Sequence, residues 1–374
     1  MVTRYIGLDL HKDYIHGCEW NPAEGKEKHF RLKNKPEAWT DLAGMLGPDC
    51  EVAAEVTGNS FELHDALSPY CGRMALANPS ALKRLRSGQH TDRVDAARLA
   101  KMMAMNAVPP VWVPPHDVRE VRRLLQYRSK LVQQQVRCKN QAKAVLRRLG
   151  WDNAWVRNAQ SVFQAADRLT VCAADSAILR STARSLASVE KERQIVESEI
   201  ASRLDKHPKA QVLLSIPGVG ILTAAAIWAW IGEPRRFRTS KQVASYAGLD
   251  PSVHQSGETY YHGRISKSGN VLLRFFLIEA AQVTARHDRG QLGDFYRRKV
   301  LRIGARKAVV ALARKLIVVA WRMLLTGELY RNEVSAMTQR KRSELRRLSQ
   351  GGSSWEEVAL TTQRTLASSN NGCG

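Results

Sequence analysis

Short apolar runs and amphipathic stretches alternate over residues 4–107 of the chain. Three of the runs, at residues 4–10, Tyr14–Trp20 and Lys28–Leu32, follow one another closely and predict an antiparallel meander of strands. Beyond them the pattern predicts four helices and two further strands. The helices are Pro36–Leu46, Phe61–Tyr70, Ala81–Arg86 and Val94–Asn106, and the strands are Glu51–Val56 and Met74–Ala77.

Three meandering strands followed by helix–strand alternation is the order of a ribonuclease H-like fold. The first domain, residues 1–108, is therefore predicted to be α/β. Pro109, Pro110, Pro114 and Pro115 then form a stiff break, which we interpret as the linker that ends it.

Long helical periodicity characterises the next part, residues 116–207. It predicts one helix over Val118–Leu149, a second over about Ala183–Leu204, and one or two short helices after Trp151. Two long helices around a short connection are typical of an antiparallel coiled-coil arm, and a helical bundle packed on a neighbour is the alternative. The first helix is rich in basic residues: Arg119, Arg122, Arg123, Arg128, Lys130, Arg137, Lys139, Lys143, Arg147 and Arg148.

Mainly helical patterns continue through residues 208–330. Pro217-Gly218-Val219-Gly220 precedes a helix of small residues and is similar to a helix-hairpin-helix, in which Gly218 and Gly220 would let the backbone approach a phosphate. The alternative is a plain glycine turn between packed helices. Residues 331–374 are polar and are predicted to form a disordered tail. The fold class is thus α/β plus α.

The net charge of the chain indicates which class of partner it binds. Among 374 residues, 58 are Lys or Arg and 35 are Asp or Glu, which gives a formal net charge of +23. Such a surplus favours a polyanion, and nucleic acid is the usual one. The six cysteines show no zinc-type spacing, which favours a reducing compartment and no structural metal. With no signal-peptide layout and no membrane-length apolar run, a soluble cytoplasmic protein is expected.

Four acids stand in an order that predicts one divalent-metal site. Asp9 and Glu55 lie in apolar runs that read as strands, while Asp92 and Asp95 share one face of a predicted helix. Although His11 and Asp13 alternate onto the same strand face, Asp9 is preferred because it lies inside the apolar run. Grouped carboxylates raise each other's pKa unless a cation neutralises them. Oxygen ligands favour Mg²⁺ or Mn²⁺ over zinc.

A second candidate site is the loop Gly263–Asn270, which opens into a helix at Val271. Free N–H groups at a helix N-terminus attract phosphate, and Arg264, Lys267 and Arg274 would add donors. Ser266 or Ser268 held there could attack phosphorus. Alternatively, the two serines cap the helix or donate to the phosphate, and the spacing does not separate these roles.

Several of these stretches resemble a known family. Gly-Leu-Asp-Leu-His-Lys, Glu-Val-Thr-Gly-Asn and His-Thr-Asp-Arg-Val-Asp-Ala-Ala-Arg-Leu-Ala are similar to the DEDD transposases of the insertion sequence 110 family. Ile-Pro-Gly-Val-Gly, Phe237-Arg238-Thr239, Tyr246-Ala247-Gly248-Leu249 and Gly-Arg-Ile-Ser-Lys-Ser-Gly-Asn resemble its C-terminal domain. The similarity spans about residues 4–325.

The resemblance implies a RuvC-like domain, a coiled-coil arm and a transposase domain. It implies Asp9, Glu55, Asp92 and Asp95 as ligands of Mg²⁺ and Ser266 as the nucleophile. It further implies double-stranded donor and target DNA, a structured bridge RNA, and a tetramer whose active sites combine domains of different subunits.

Three functions remain open at this point. The leading hypothesis is a recombinase that forms a phosphoserine intermediate. The second is a RuvC-like nuclease that hydrolyses branched DNA with water. The third is a binding protein with a degenerate metal site.

Overall fold

The computed structural model describes residues 2–85, 91–152, 156–256 and 259–351. The chain forms two compact units, Met1–Pro114 and Pro115–Gly374, and the boundary between them along the chain falls inside the proline-rich segment. The boundary predicted between residues 207 and 208 is not a boundary between units, because both sides of it belong to the second unit.

A five-stranded sheet forms the centre of the first unit, in the order β3-β2-β1-β4-β5. Strands β1 to β3 are the predicted antiparallel meander, and β4 and β5 run parallel to β1. The strands are β1 Arg4–Leu10, β2 Tyr14–Asn21, β3 Lys26–Lys33, β4 Cys50–Glu55 and β5 Arg73–Ala77. The helices are α1 Pro36–Met45, α2 Ser60–Leu67, α3 Pro79–Leu85 and α4 Asp92–Ala104. The mixed α/β prediction is confirmed.

Side chains of β1 point alternately to the two faces of the sheet, and different helices pack on each face. Ile6, Leu8 and Leu10 point to one face and join the main core, which includes residues of α1 and α2. Tyr5, Gly7 and Asp9 point to the opposite face, and α4 packs there. Asp9 therefore lies on the face of the sheet that α4 covers.

Gly7 permits this close packing of α4 on β1. A Cβ atom at Gly7 would lie 1.9 Å from the carbonyl oxygen of Ala96 and 2.6 Å from the amide nitrogen of Ala100. Because both neighbours are backbone atoms, no side-chain rotation could relieve the overlap. The absence of a side chain at position 7 thus sets the distance between α4 and the sheet.

The second unit begins with two long helices, α5 His116–Arg148 and α7 Ala173–Asp205, linked by α6 Ala159–Arg168. The pairs Arg128–Glu197 and Arg148–Asp175 show that α5 and α7 run antiparallel. At the far end of the pair, α6 contributes to a separate apolar cluster with both helices. At the near end, α5 and α7 pack on a later helix, Ile221–Ile231. The pair thus combines features of the predicted arm and of the bundle alternative.

The rest of the second unit is mainly helical, as predicted, but contains a hairpin that the pattern did not indicate. Its strands, β6 Pro251–Ser256 and β7 Thr259–Ile265, are antiparallel. The helices are α8 Pro208–Gln211, α9 Ile221–Ile231, α10 Ser240–Tyr246, α11 Val271–His287, α12 Gln291–Ile303, α13 Ala305–Thr326 and α14 Ser335–Gln350, with short 3₁₀ turns at Val212–Ser215 and Pro234–Arg236.

The prediction of a disordered tail is wrong for α14, although residues 352–374 lie outside the described residues. Leu345 is buried, and Lys341 Nζ donates to the carbonyl oxygens of Leu214 and Ile216 at 2.8 and 2.9 Å. Burial lowers the pKa of Lys341 to about 8. Since polar groups make many of these contacts, the apolar pattern is too sparse to reveal the helix.

Within the described residues, no helix combines the length and apolar character needed to cross a bilayer.

We expect Gly7→Ala to lower the free energy of unfolding by about 1–3 kcal/mol, because α4 must move away from β1. Urea denaturation of the full chain measures the change. Gly44→Ala is the matched control, since Gly44 lies in α1 with open space around its would-be Cβ. An unfolding midpoint for Gly7→Ala equal to that of Gly44→Ala would contradict the packing argument.

Candidate active-site residues

The four acidic residues lie near the carboxyl ends of two neighbouring strands, β1 and β4, and in the first turn of α4. Strands β1 and β4 are parallel neighbours in which Leu8 pairs with Ala54, so the following residues, Asp9 and Glu55, stand at adjacent carboxyl ends. Helix α4 begins beside β1, and Thr91 caps it by accepting a hydrogen bond from the amide of Val94 at 3.3 Å. Asp92 and Asp95 both lie in the first turn of this helix.

His11 lies between two of the carboxylates. Its Nε2 is 3.1 Å from Asp9 Oδ2 and 3.3 Å from Asp92 Oδ1. One ligand atom from each of the three residues falls within 4.8 Å of the others. The Tyr14 hydroxyl donates to Asp92 Oδ2 at 2.8 Å, and the Tyr14 ring stacks on His11 with centroids 4.5 Å apart. His11 and Tyr14 therefore orient the acidic pair.

The two carboxyl groups of this pair have opposite electrostatic environments. Burial raises the pKa of Asp9, His11 opposes that effect, and the charges of Asp92 and Asp95 add to it. The hydrogen bond from Tyr14 lowers the pKa of Asp92. A divalent cation would relieve the unfavourable ionisation of Asp9, and the carboxylates of Asp9 and Asp92, close to each other and to His11, could hold one.

The other two predicted ligands lie outside this close group, as far as the described residues show. Asp95 Oδ1 accepts a hydrogen bond from Arg98 Nη1 at 3.0 Å, and its side chain is 14% exposed. Glu55 ends the strand next to Asp9. Asp95 acts on Asp9 through its charge, and Glu55 is adjacent by strand register.

A second group of metal-type ligands lies on the same face of the sheet. Cys18, Glu27 and His29 have ligand atoms within 4.8 Å of one another, although their sequence spacing is not typical of zinc. Lys101 Nζ lies 2.6 Å from Glu27 Oε1, and this hydrogen bond is the main cause of the lowered pKa of Glu27. The carboxylate is thereby already neutralised by a lysine, and we assign no metal to this group.

The serine loop is fixed by an unusually close approach of two backbone segments. A Cβ at Gly269 would lie 2.2 Å from the amide nitrogen of Gly248 and 2.3 Å from the carbonyl oxygen of Tyr246. Gly248 itself has a φ of +65°, which favours glycine. The amide of Asn270 also donates to the carbonyl of Tyr246 at 3.0 Å. These contacts hold the loop against the segment that follows α10.

Ser266 is held by Asp250, a residue that the sequence analysis did not select. The Ser266 hydroxyl donates to Asp250 Oδ1 at 2.6 Å, and the Ser266 amide donates to the Asp250 carbonyl at 2.8 Å. Ser268 Oγ donates to Ser266 Oγ at 3.1 Å. Between the serines, Lys267 has a φ of +56°, a left-handed conformation that is strained for a residue with a side chain.

Helix capping by the serines, one of the alternatives above, is wrong. Asn270 is the N-cap of α11, and its Oδ1 accepts a hydrogen bond from the amide of Leu273 at 2.8 Å. The hydroxyl of Ser266 is thus not needed to begin the helix.

The predicted phosphate donors around the loop fall into two groups. Arg264 and Lys267 are exposed, as a role in DNA binding requires. Arg274 is buried, and its Nη1 donates to the carbonyl oxygens of Ala247, Lys267 and Gly269 at 3.3–3.4 Å. The prediction that Arg274 binds nucleic acid therefore conflicts with the structure, in which Arg274 supports the loop from below.

Gly218 also differs from its predicted role. It has a φ of +88°, and a Cβ there would lie 2.5 Å from Thr284 Oγ1 and 2.7 Å from the carbonyl of Ala280, both in α11. Gly218 therefore permits helix packing, as the plain-turn alternative states. Gly220 is exposed at the N-terminus of α9 with open space around it, and can still approach a phosphate.

Two family models match the chain and together cover more than half of it. A DEDD transposase model of the IS110 type matches residues 6–150, which contain the acidic site. The model described as "Transposase IS116/IS110/IS902 family" matches residues 210–297, which contain the serine loop. The chain belongs to the IS110 family of transposases.

Curated relatives resemble this transposase over most of their length. The transposase for insertion sequence element IS1111A of Coxiella burnetii is 26% identical over 340 residues, 88% of this chain and 91% of the relative. A probable family 20 transposase of Pseudomonas aeruginosa is 26% identical, with 87% and 98% covered. The pilin gene-inverting protein of Moraxella bovis is 24% identical, with 87% and 96% covered.

Three residues that contact the candidate sites of this transposase, namely His11, Tyr14 and Asp250, are not among the residues predicted from sequence. His11 carried a usable signal, since it lies two residues after Asp9 and so alternates onto the same strand face. Tyr14 and Asp250 gave no such signal, because strand pairing and the glycine contact bring them to the site.

If Asp9 and Asp92 hold a divalent cation, Mg²⁺ or Mn²⁺ at a hundredfold excess over its Kd should raise the Tm of chelator-treated protein by on the order of 5 °C. Differential scanning fluorimetry measures the shift. Asp9→Asn and Asp92→Asn should remove most of it.

Asp13→Asn is the control, because Asp13 is exposed just after β1 and outside the ligand group. A full metal-induced shift in Asp92→Asn would exclude this site.

Proposed function

We propose that this transposase cuts and rejoins DNA by transesterification, with Ser266 as the nucleophile and the acidic site holding Mg²⁺ or Mn²⁺. The observation that carries the proposal is the serine loop itself. In this strained loop, a side-chain and a backbone hydrogen bond to Asp250 position Ser266. Asn270, not a serine, caps the helix that follows. Strain of this kind clusters at functional sites.

Each part of the reaction has a candidate residue on the chain. The Ser266 Oγ–P bond forms as one ester bond of the DNA breaks, and the exposed side chains of Arg264 and Lys267 would bind the phosphate oxygens. Asp9 and Asp92 would hold the cation, with Glu55 and Asp95 nearby. A divalent cation held by these carboxylates would supply charge stabilisation for phosphoryl transfer. The number of phosphodiester bonds stays constant, so rejoining requires no ATP.

The relatives support cutting with rejoining. The Moraxella bovis relative is named for inverting a pilin gene, and an inversion ends with as many phosphodiester bonds as it began with. A covalent protein–DNA intermediate conserves that bond energy.

We further propose that the first unit is RuvC-like, that the partners are double-stranded DNA and a bridge RNA, and that the active form is a tetramer. The strand order and directions of the sheet support the first point. Exposed basic residues on α5 support a polyanionic partner. Arg123, Lys130 and Arg137 recur every seven residues, which places them about 10 Å apart along one stripe of the helix.

A metal-dependent nuclease that uses water remains the second candidate, because the acidic group alone contains what such an enzyme needs. It differs from the proposal in forming no covalent adduct.

Ser266→Ala should reduce strand cleavage and the denaturation-resistant protein–DNA adduct to background, since the attacking oxygen is gone. Ser268→Ala should keep both within about tenfold of the wild type, because its hydroxyl only donates to Ser266. The assay is denaturing electrophoresis of labelled DNA after incubation with the ribonucleoprotein. Cleavage by Ser266→Ala at the wild-type rate would favour the hydrolytic nuclease.

The basic stripe on α5 leads to a separate prediction about nucleic-acid binding. Lys130→Ala with Arg137→Ala should reduce the slope of log K against log[salt] by about 1.5–2, since two phosphate contacts are lost. Filter binding at several salt concentrations measures the slope. The control is Arg180→Ala with Arg297→Ala, which removes the same charge from residues paired with Asp167 and Asp294. Equal slopes in both double variants would show that total charge, not the stripe, matters.

A further inference from the structure

The carboxylate of Asp250 faces the hydroxyl that the proposed reaction uses. Its Oδ1 accepts from Ser266 at 2.6 Å, and its Oδ2 accepts from Ser245 at 3.4 Å. A distance of 2.6 Å is short for an O–H···O hydrogen bond in general and is typical of a hydroxyl that donates to an ionised carboxylate. Both carboxylate oxygens thus meet hydroxyl groups, and one of them is the candidate nucleophile.

This side-chain hydrogen bond is not required to hold the loop in place. The Ser266 amide already donates to the Asp250 carbonyl, the Asn270 amide donates to Tyr246, and Arg274 binds three loop carbonyls. The close contact of Gly248 with Gly269 fixes the two segments further. Because the backbone is fixed in these ways, the hydrogen bond from Ser266 to Asp250 Oδ1 can serve to orient the hydroxyl.

The hydrogen bonds of the Ser266 hydroxyl suit a nucleophilic oxygen. The hydroxyl donates a hydrogen bond to Asp250, and its oxygen accepts a hydrogen bond from Ser268 at 3.1 Å. A hydroxyl oxygen has two lone pairs, so this pattern leaves one of them for phosphorus. A serine hydroxyl is a weak nucleophile unless an adjacent base removes its proton.

We infer that Asp250 is the general base of the reaction, which orients Ser266 and takes its proton. As the Oγ–P bond forms, the proton passes to Asp250 Oδ1, and the bond between phosphorus and the leaving deoxyribose oxygen breaks. That oxygen takes a proton from solvent and Asp250 releases its own, so protons balance. In rejoining, a DNA hydroxyl attacks the phosphoserine and gives its proton to solvent, while Asp250, reprotonated from solvent, donates a proton to the departing Ser266 oxygen. This inference rests on the proposed function.

The test compares Asp250→Asn with wild type in single-turnover adduct formation at saturating DNA. Asparagine has nearly the same shape and keeps an acceptor oxygen, but cannot take the proton. Adduct formation should slow by about 10²–10³-fold, the range of general-base catalysis, while the Kd for DNA is not weakened. Asp250→Glu keeps the carboxylate and should recover at least a tenth of the wild-type rate.

Asp294→Asn is the matched control, since it makes the same charge change on an exposed residue of the same unit. It should form adduct at the wild-type rate. Ser266→Ala, assayed in parallel, separates the two hypotheses: if it still cleaves, the proposed function fails. If it is inactive while Asp250→Asn forms adduct within threefold of wild type, only the role of Asp250 is overturned.

Equal losses in Asp250→Asn and Asp250→Glu, with unchanged melting temperatures, would also overturn the inference, because shape and not proton transfer would then decide the rate. Should Asp250→Asn fail to fold, Asp250→Glu decides alone. A rate of a tenth of wild type or more supports the base, and a loss as deep as that of Ser266→Ala contradicts it.

Discussion

Close backbone contact at glycine is the constraint on which both groups of functional side chains depend. In the first unit, Gly7 lets α4 approach β1 until backbone nearly meets backbone, and this places Asp92 beside Asp9. In the second unit, Gly248 and Gly269 let the serine loop approach the segment that carries Asp250. In each case the reacting groups come from segments distant in sequence, and the glycine sets their separation.

Polar neighbours of the acidic site offset its negative charge only in part. Tyr14 favours the ionised form of Asp92, whereas burial of Asp9 disfavours ionisation. The two carboxyl groups therefore differ in how readily they ionise. His11 contacts both of them and so links the two acids.

The features that could be predicted from the sequence are those that local patterns determine. Strands β1 to β5 and the long helices follow from apolar periodicity, and the acidic residues stand out because charges in apolar runs need partners. Tertiary contacts determine the rest. Arg274 looked like a phosphate ligand because it follows a basic loop, yet it is buried under that loop. Helix α14 looked like a tail because Lys341 and its polar neighbours, rather than a broad apolar stripe, attach it.

The serine loop shows how a flexible-looking sequence becomes a rigid site. Gly-Arg-Ile-Ser-Lys-Ser-Gly-Asn is a typical loop composition, and Lys267 is forced into a left-handed conformation that costs of order 1–3 kcal/mol. The contacts below the loop, made by Arg274, Asn270 and the Asp250 backbone, offset that strain. Since these contacts involve backbone atoms of the loop, they leave the side chains of Lys267 and Arg264 exposed and that of Ser266 free to bond to the Asp250 carboxylate. If Ser266 is the nucleophile, as proposed, it needs little reorganisation before it attacks, because the loop is already ordered in the folded protein.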